Sequence, residues 1–313
     1  MINDLKRQRT SSVTKIRNAL SVGWSRETSY FDNWSPNNPS AGQCAVSALI
    51  LQDYCGGEIR KCMVAGVPHY FNVINDQMVD STVGQFAVGE IEYHTSAVRE
   101  KGRILRHADT FQRYELLCMR VAQFLAKLDK VADEIASVDY GCMGEDCLQK
   151  QMIWFGDNND IIIVGEAPAR TGWVKSGVAW HNTDGKLLPS GIIMQKLLTI
   201  LNKELLSVTF LEAIKCFPSD RRHLKKLAQL YRPTLERQIK ILRPKLVLTM
   251  GAIPTQMLID RPFQRLTDVA GKSFSVHGTR VIPIFHPSPI SPRGYKDNVP
   301  IFEMIQRKIW EEV

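Results

Sequence analysis

Residues 281–291 read Val-Ile-Pro-Ile-Phe-His-Pro-Ser-Pro-Ile-Ser, in which a buried-strand pattern passes directly into a loop that prolines hold rigid. The apolar run 161–164 passes in the same way into the tetrapeptide Gly-Glu-Ala-Pro at 165–168. Two further apolar runs are at 208–211 and 246–250. Helix-like stretches are at 190–201 and 221–242. This alternation predicts an α/β unit, a three-layer α/β/α domain with a central parallel sheet. Ser190 is the predicted N-cap of the helix at 190–201.

The ends of the apolar runs carry polar residues and a glycine. Glu166, Glu212, Gly251 and His286 each lie at or just after the carboxyl end of a predicted strand. In open parallel sheets, ligands bind at that edge. We therefore expect these four residues to surround one site.

Composition indicates two globular units and a polyanionic partner. The chain has 313 residues, with 40 Lys and Arg against 32 Asp and Glu, a formal net charge of +8. A helix-like stretch at 114–135 is followed by a turn-rich segment at 139–147, so the predicted domains are 1–138 and 139–313. There is no apolar run of eighteen residues and no secretory signal pattern, so we expect a cytoplasmic protein without a membrane or an obligate protein partner.

The second unit has candidates for each part of N-glycosidic bond cleavage in DNA. That chemistry needs a base taken out of the stack, a pocket that reads its edge, and stabilisation of the charges that develop. Glu166 could orient water and balance positive charge on the sugar. Ser288 could contact a phosphate, and Ile290 could wedge into a base step.

The two motifs at 165–168 and 286–291 resemble the strand-end motifs of the uracil-DNA glycosylase superfamily. The resemblance covers 157–313, and segments 214–218 and 236–245 resemble the branch that carries an iron-sulfur cluster. It implies that Glu166 positions the attacking water and that His286 donates a hydrogen bond to the leaving base. The implied base-binding residues are Ala167, Trp180 as the stacking aromatic, Glu212, and Ile290 as the wedge.

The same resemblance implies base flipping followed by monofunctional hydrolysis to an abasic site, because no lysine stands at a motif position to form a Schiff base. DNA is then the expected partner. Candidate contacts to its phosphates are Ser288, Lys215, Arg221, Arg222, Lys225, Lys226, Arg293 and Lys296.

Glu212 stands where the family has an asparagine that reads uracil. An ionised carboxylate only accepts hydrogen bonds, so it would repel uracil O4 and attract cytosine N4-H₂. The prediction is therefore a cytosine-like or modified base, with a use in defence against foreign DNA. The alternative is that Glu212 is a surface residue.

The cysteines of this unit match a cluster site incompletely. Cys142, Cys147 and Cys216 lie near the expected ligand positions, but residues 230–233 supply no fourth cysteine. Zinc with an added His223 is an alternative. We expect no cofactor and no metal.

The first unit contains a candidate cysteine site. Cys44 follows Gln43 at the predicted start of a helix, and His69 and Asp80 come later in the chain. A helix-terminal thiol with these partners could form a Cys-His-Asp relay in which Gln43 donates to an oxyanion. Equally, Cys44 and His69 could be buried packing residues.

Residues 21–127 resemble the YunG-like family, and their motif order suggests an α+β, papain- or transglutaminase-like core. The leading interpretation of the whole chain is a DNA glycosylase with an accessory domain. Two alternatives stay open: a DNA- or modified-base-binding protein without turnover, and a cysteine hydrolase that uses Cys44 and senses DNA through its second domain.

Overall fold

The structure, a computed structural model, describes residues 2–32, 34–86, 91–147, 151–289, 291 and 293–311, and it describes their side chains except at 2–11 and 308–311. Two compact units emerge, Met1–Ala126 and Lys127–Val313, and the division falls within a long helix. The sequence-based boundary at 138/139 follows that helix and stays a prediction. Within the described residues, no helix has both the length and the apolar character to span a membrane.

The first unit combines helices with an antiparallel sheet of order β3-β2-β1-β4. Its papain- or transglutaminase-like character stays a prediction. Its helices are α1 (Ile2–Gly23), α2 (Cys44–Cys55), α3 (Lys101–Leu105) and α4 (Ala108–Ala136), the last of which continues into the second unit. Its strands are β1 (Glu58–Val64), β2 (Val67–Ile74), β3 (Gln77–Val79) and β4 (Ala97–Arg99).

Helix α2 packs against this sheet. Its residues 46–51 are all buried, and Ala48 and Leu49 form a core cluster with Ile59 of β1. The buried Asn72 of β2 donates from Nδ2 to the Ala48 carbonyl at 3.0 Å, which satisfies an amide that burial would otherwise leave without a partner. The start of α2 is thereby held beside β2.

The second unit is a mixed α/β fold. Its strands are β5 (Gly144–Glu145), β6 (Ile153–Trp154), β7 (Asn158–Gly165), β8 (Val208–Glu212), β9 (Phe217–Pro218), β10 (Leu246–Met250), β11 (Phe274–Val276) and β12 (Thr279–Ile284). Its helices after α4 are α5 (Trp173–Ser176), α6 (Pro189–Ile200), α7 (Leu224–Leu242), α8 (Ala252–Leu258) and α9 (Val299–Glu311).

The main sheet of this unit has the order β11-β12-β10-β7-β8-β6, and its four middle strands are parallel. The predicted central parallel sheet is confirmed, with antiparallel strands added at both edges. Successive residues Ile162 and Ile163 of β7 are both buried, as expected for a sheet covered on both faces. Met194 of α6 and Phe302 of α9 belong to the core cluster on one of those faces.

The predicted N-cap Ser190 is wrong by two residues. Helix α6 has Leu188 as its N-cap and Pro189 in its first turn, where the fixed φ of proline suits a helix start and its missing N–H costs nothing. The helix predicted from residue 221 instead starts as a 3₁₀ turn at Arg221–His223, which leads into α7.

Candidate active site

The carboxyl ends of the parallel strands meet at one pocket. Glu166 follows β7, Glu212 ends β8, Gly251 follows β10 and His286 follows β12, and all four line a cavity of about 550 Å³. This volume lies within the range typical of small-ligand sites. The predicted convergence of these residues is therefore what the fold produces.

Aromatic rings form part of the pocket wall. Trp180, predicted to stack on a base, lines the cavity together with Phe210, and their ring centroids are 4.4 Å apart. Trp173 packs against Phe210 on another side at 5.4 Å. Ala167 also lines the cavity. Phe210 lies within a strand that is buried throughout, so the sequence carried no signal that singled it out.

Glu166 forms an ion pair at the pocket mouth. Its Oε1 is 3.0 Å from Nη2 of Arg221, whose side chain is 81% exposed. Arg221 is fixed at the start of the 3₁₀ turn, where the Asp220 side chain accepts from the Arg222 N–H. A residue expected to touch phosphate thus contacts the candidate catalytic carboxylate.

The loop that carries His286 is held by Asn298. This fully buried side chain accepts from Phe285 N at 2.9 Å and donates to Phe285 O at 2.8 Å and Gly294 O at 3.0 Å. Three such bonds fix the backbone next to His286. Asn298 lies thirteen residues beyond Phe285, so the sequence motif gave no sign of its role.

His286 is solvent-accessible but lies within the concave pocket. Loss of water there lowers its pKa, and the positive charge of Arg221 acts in the same direction, against the opposing charge of Glu166. The ring is therefore neutral near pH 7. A neutral imidazole can still donate one hydrogen bond.

Glu212 is a buried pocket residue. Only 8% of it is exposed, so the alternative that placed it on the surface is wrong. Its Oε2 has no hydrogen-bond partner among the described residues. It lies against Gly165, where any side chain would collide with it. A buried, unpartnered oxygen at the pocket wall is suited to pairing with a ligand.

Burial changes the protonation of Glu212. It raises the pKa of this carboxyl to about 8, helped by the charge of Glu166 and opposed by that of Lys215. Near pH 7 the group is then a neutral acid with one O–H donor and one carbonyl acceptor. This neutral form would not repel uracil O4 as the expected carboxylate would, and the preference for a cytosine-like base stays a prediction.

Lys215 is not a surface phosphate contact. It is 3% exposed, and its Nζ donates to the main-chain carbonyl of Glu212. Burial lowers its pKa to about 7, against the opposing charge of Glu212. The prediction failed because burial continues past the end of β8, through residues 208–216.

The other predicted DNA contacts are accessible or lie outside the described residues. Arg222 pairs with Asp220 at 2.7 Å, and Arg293 approaches Asp297 at 3.7 Å. Ser288 is partly exposed in the loop that follows His286. The predicted wedge Ile290 lies outside the described residues.

The cysteines of this unit do not fit an iron-sulfur cluster. Cys142 is exposed, whereas Cys147 and Cys216 are buried near each other, and Tyr231 hydrogen-bonds to the Cys216 thiol. Burial, reinforced by the charge of Cys216, raises the pKa of Cys147 to about 12. The donor set has three thiols, and residues 230–233 supply no fourth, whereas such a cluster usually takes four.

In the described part of the chain, no group of three His, Cys, Asp or Glu side chains is arranged for a metal. His223, the added ligand of the zinc alternative, instead lies 3.2 Å from the Ser219 hydroxyl through its Nδ1. The expectation of no cofactor stays a prediction.

The first unit brings its three candidate residues together. Cys44 is the first residue of α2, and its thiol donates to the main-chain carbonyl of Pro68, the residue before His69 on β2, at 3.9 Å. His69 Nε2 lies 2.6 Å from Asp80 Oδ2, which also accepts from the Tyr93 hydroxyl at 2.9 Å. Burial alone would lower the pKa of His69, but the bonds to Asp80 and Cys44 and their charges outweigh it and raise the pKa to about 9.

Gln43 is not placed as an oxyanion donor. It is fully buried and its Nε2 donates to the Ser25 carbonyl at 2.8 Å, so it cannot reach a substrate. Gln85, which the sequence did not single out for this role, has its Nε2 3.3 Å from His69 Nδ1. Its Oε1 accepts from Gly42 N at 3.2 Å, just before α2.

Comparison with known proteins assigns both units. A YunG protein family model matches residues 12–126, and a uracil DNA glycosylase superfamily model matches residues 153–312. Uncharacterized protein YunG of Bacillus subtilis (strain 168) is 37% identical over 98 residues, which cover 31% of this chain and 83% of that protein.

A Type-4 uracil-DNA glycosylase of Sulfurisphaera tokodaii is 31% identical over 137 residues. The match covers 41% of this chain and 60% of that relative's length. The chain therefore belongs to the uracil DNA glycosylase superfamily through its second unit and to the YunG family through its first.

Proposed function

We propose that this protein is a DNA glycosylase that takes a pyrimidine out of the stack and hydrolyses its N-glycosidic bond. The observation that carries the proposal is the meeting of Glu166, Glu212 and His286 at one pocket of about 550 Å³. Superfamily membership and the glycosylase relative support the same reaction class. The net charge of +8 suits a polyanionic substrate.

In the proposed reaction, the bond between C1′ and the base nitrogen breaks, and its electron pair leaves with the base. Neutral His286 donates a hydrogen bond to the base as negative charge develops on it. Glu166 orients a water and balances the positive charge on the sugar. The water adds to C1′, and the proton that it loses ends on the departing base. Arg221 fixes the Glu166 carboxylate through their 3.0 Å ion pair.

Base selection falls to Glu212 in this proposal. As a neutral acid it can donate its O–H to uracil O4 while its carbonyl accepts from N3-H. With the proton pointing the other way, it donates to cytosine N3 and accepts from N4-H₂. We therefore include uracil, cytosine-like and modified bases among the candidate substrates, the last of these in foreign DNA.

The reaction is proposed to be monofunctional. Among the described residues that line the pocket there is no lysine, and the amine of Lys215 is held by the Glu212 carbonyl. Water is then the available nucleophile, and the product is an abasic site.

The test is base release by the full chain from single- and double-stranded DNA containing uracil, cytosine or a modified cytosine, with the free base identified by mass spectrometry. The control is Glu303→Gln, which makes the same charge change at an exposed site on α9. The proposal is supported if the wild type and Glu303→Gln release a pyrimidine and Glu166→Gln does not. No release from any of these DNAs overturns it.

A further inference from the structure

The first unit contains a second group of reactive side chains that base excision does not use. A thiol, an imidazole and a carboxylate lie in one neighbourhood. The Cys44 thiol contacts the carbonyl of Pro68, next to His69 on β2, and His69 Nε2 lies 2.6 Å from Asp80 Oδ2. We propose that they form a cysteine acyl-transfer site, in which Cys44 attacks an amide or ester carbonyl, His69 carries the proton and Asp80 orients His69. This inference does not rest on the proposed glycosylase activity.

Asp80 is fixed more firmly than a packing residue needs to be. Its side chain is 4% exposed, and its Oδ1 accepts from Thr82 N at 2.8 Å and from the Thr82 hydroxyl at 3.2 Å. Its Oδ2 accepts from Tyr93 and pairs with His69. These contacts to both oxygens hold the carboxyl group in place against the imidazole.

His69 is buried, whereas its reactive neighbour is reachable. The ring is 0% exposed and is packed edge-on against Phe86, with centroids 4.8 Å apart. Cys44 is partly exposed. Because Nε2 pairs with Asp80, a proton that passes between the thiol and the ring is carried on Nδ1, which also lies 3.3 Å from the Gln85 amide nitrogen. A buried base behind an accessible thiol is the arrangement that nucleophilic catalysis requires.

The position of Cys44 also suits the binding of an oxyanion. It opens the twelve-residue helix α2, whose first-turn N–H groups lack intrahelical acceptors and carry the positive end of the helix dipole. The Asn72 bond to Ala48 keeps this helix end beside β2. Gln85 adds an amide group next to the ring.

The reaction balances without a cofactor. The Cys44 sulfur bonds to the carbonyl carbon, and the carbonyl π pair moves to oxygen. When this intermediate collapses, the carbon–nitrogen or carbon–oxygen bond breaks and His69 protonates the leaving group. Water then attacks the thioester, His69 takes its proton, and the carbon–sulfur bond breaks to release a carboxylic acid and regenerate the thiolate.

The first test compares two thiols of the same full-length protein. Iodoacetamide is applied across pH 5.5–9, and labelling of Cys44 and of the exposed Cys142 is followed by peptide mass spectrometry. An unassisted thiol with a pKa of about 8.5 is roughly 1% thiolate at pH 6.5. We expect Cys44 to react at least about tenfold faster than Cys142 at that pH. Equal rates and parallel pH profiles overturn the proposal.

The second test follows acyl transfer itself. p-Nitrophenyl acetate should release a burst of p-nitrophenolate and leave an acetyl thioester on Cys44, and turnover should follow. Cys44→Ala should abolish the burst and Cys142→Ser should keep it. A burst that survives Cys44→Ala, or no acetylation of Cys44, contradicts the proposal.

Asp80→Asn separates positioning from packing. The amide keeps the shape of the side chain but removes its charge, so the Cys44 labelling profile should shift to higher pH. An unchanged profile in folded Asp80→Asn overturns the role of Asp80. If that variant does not fold, the wild-type comparison of Cys44 with Cys142 decides the proposal.

Discussion

Glu212 should make uracil release pH-dependent in a direction that its burial fixes. Pairing with both uracil O4 and N3-H needs the neutral acid, and its pKa is raised to about 8. The neutral fraction then falls from about 90% at pH 7 to about 10% at pH 9. We expect kcat/KM to fall about ninefold over this range, because a raised pKa keeps the active form at low pH and loses it as pH rises.

Neighbouring groups do not reverse this sign. His286 has a lowered pKa and is already neutral at pH 7. Lys215, with its pKa lowered to about 7, loses its proton early in the range, which favours the neutral form of Glu212. The fall should therefore report on Glu212.

The assay is single-turnover release of uracil by the full chain between pH 7 and pH 9, with enzyme in excess over DNA but below its Kd, so that the observed rate follows kcat/KM. Glu212→Gln has a permanent donor and acceptor, so its profile should be flat over this range and its rate at pH 7 should be retained. Glu303→Gln should keep the wild-type fall. A flat wild-type profile, or the same fall in Glu212→Gln, would refute the assigned role of Glu212.

Three further outcomes follow from the second unit. Fluorescence anisotropy gives the slope of the logarithm of the DNA-binding constant against the logarithm of the salt concentration. The substitutions Arg222→Ala and Arg293→Ala should each reduce the size of this slope by about 0.9. Lys215→Met, at a buried residue, should leave the slope unchanged. Borohydride added during turnover should trap no covalent protein–DNA complex, and a trapped complex would contradict monofunctional hydrolysis. Tyr231→Phe should lower the free energy of unfolding by about 1 kcal/mol, because the hydrogen bond to Cys216 is lost, and should leave base release unchanged. Urea titration measures this free energy, and equal stability of the two proteins would contradict the prediction.

The sheet and the position of the second-unit site could be predicted because their signals are local. Each apolar run predicts one strand. Because the strands are parallel, their carboxyl ends place Glu166, Glu212 and His286 at one edge of the sheet. The identity of the fold therefore needed only the order of the runs and the residues that follow them.

Long-range contacts explain most of what the sequence left unpredicted. Gln43 adjoins Cys44, yet its side chain enters the core to reach the Ser25 carbonyl, eighteen residues earlier. The hydrogen bonds between Asn298 and Phe285 form only because the chain folds back on itself after Phe285. Neither contact leaves a mark in the local pattern.

The protonation state of the Glu212 carboxyl could not be predicted from the sequence either. Residue 212 was correctly assigned to the strand end, but the charge on its carboxyl depends on how much water burial removes and on the nearby Lys215. Likewise, Tyr231 could be seen in place of a fourth cysteine, but its bond to the Cys216 thiol required the fold.

The most direct measurement compares abasic-site formation with DNA binding in the same preparations of wild type, Glu166→Gln and His286→Ala. We predict abasic sites with the wild type, a loss of about 100-fold or more in each variant, and DNA affinity that stays within a few-fold. Wild-type protein that binds DNA but forms no abasic sites on any of the pyrimidine substrates would contradict the account and identify a binding protein instead.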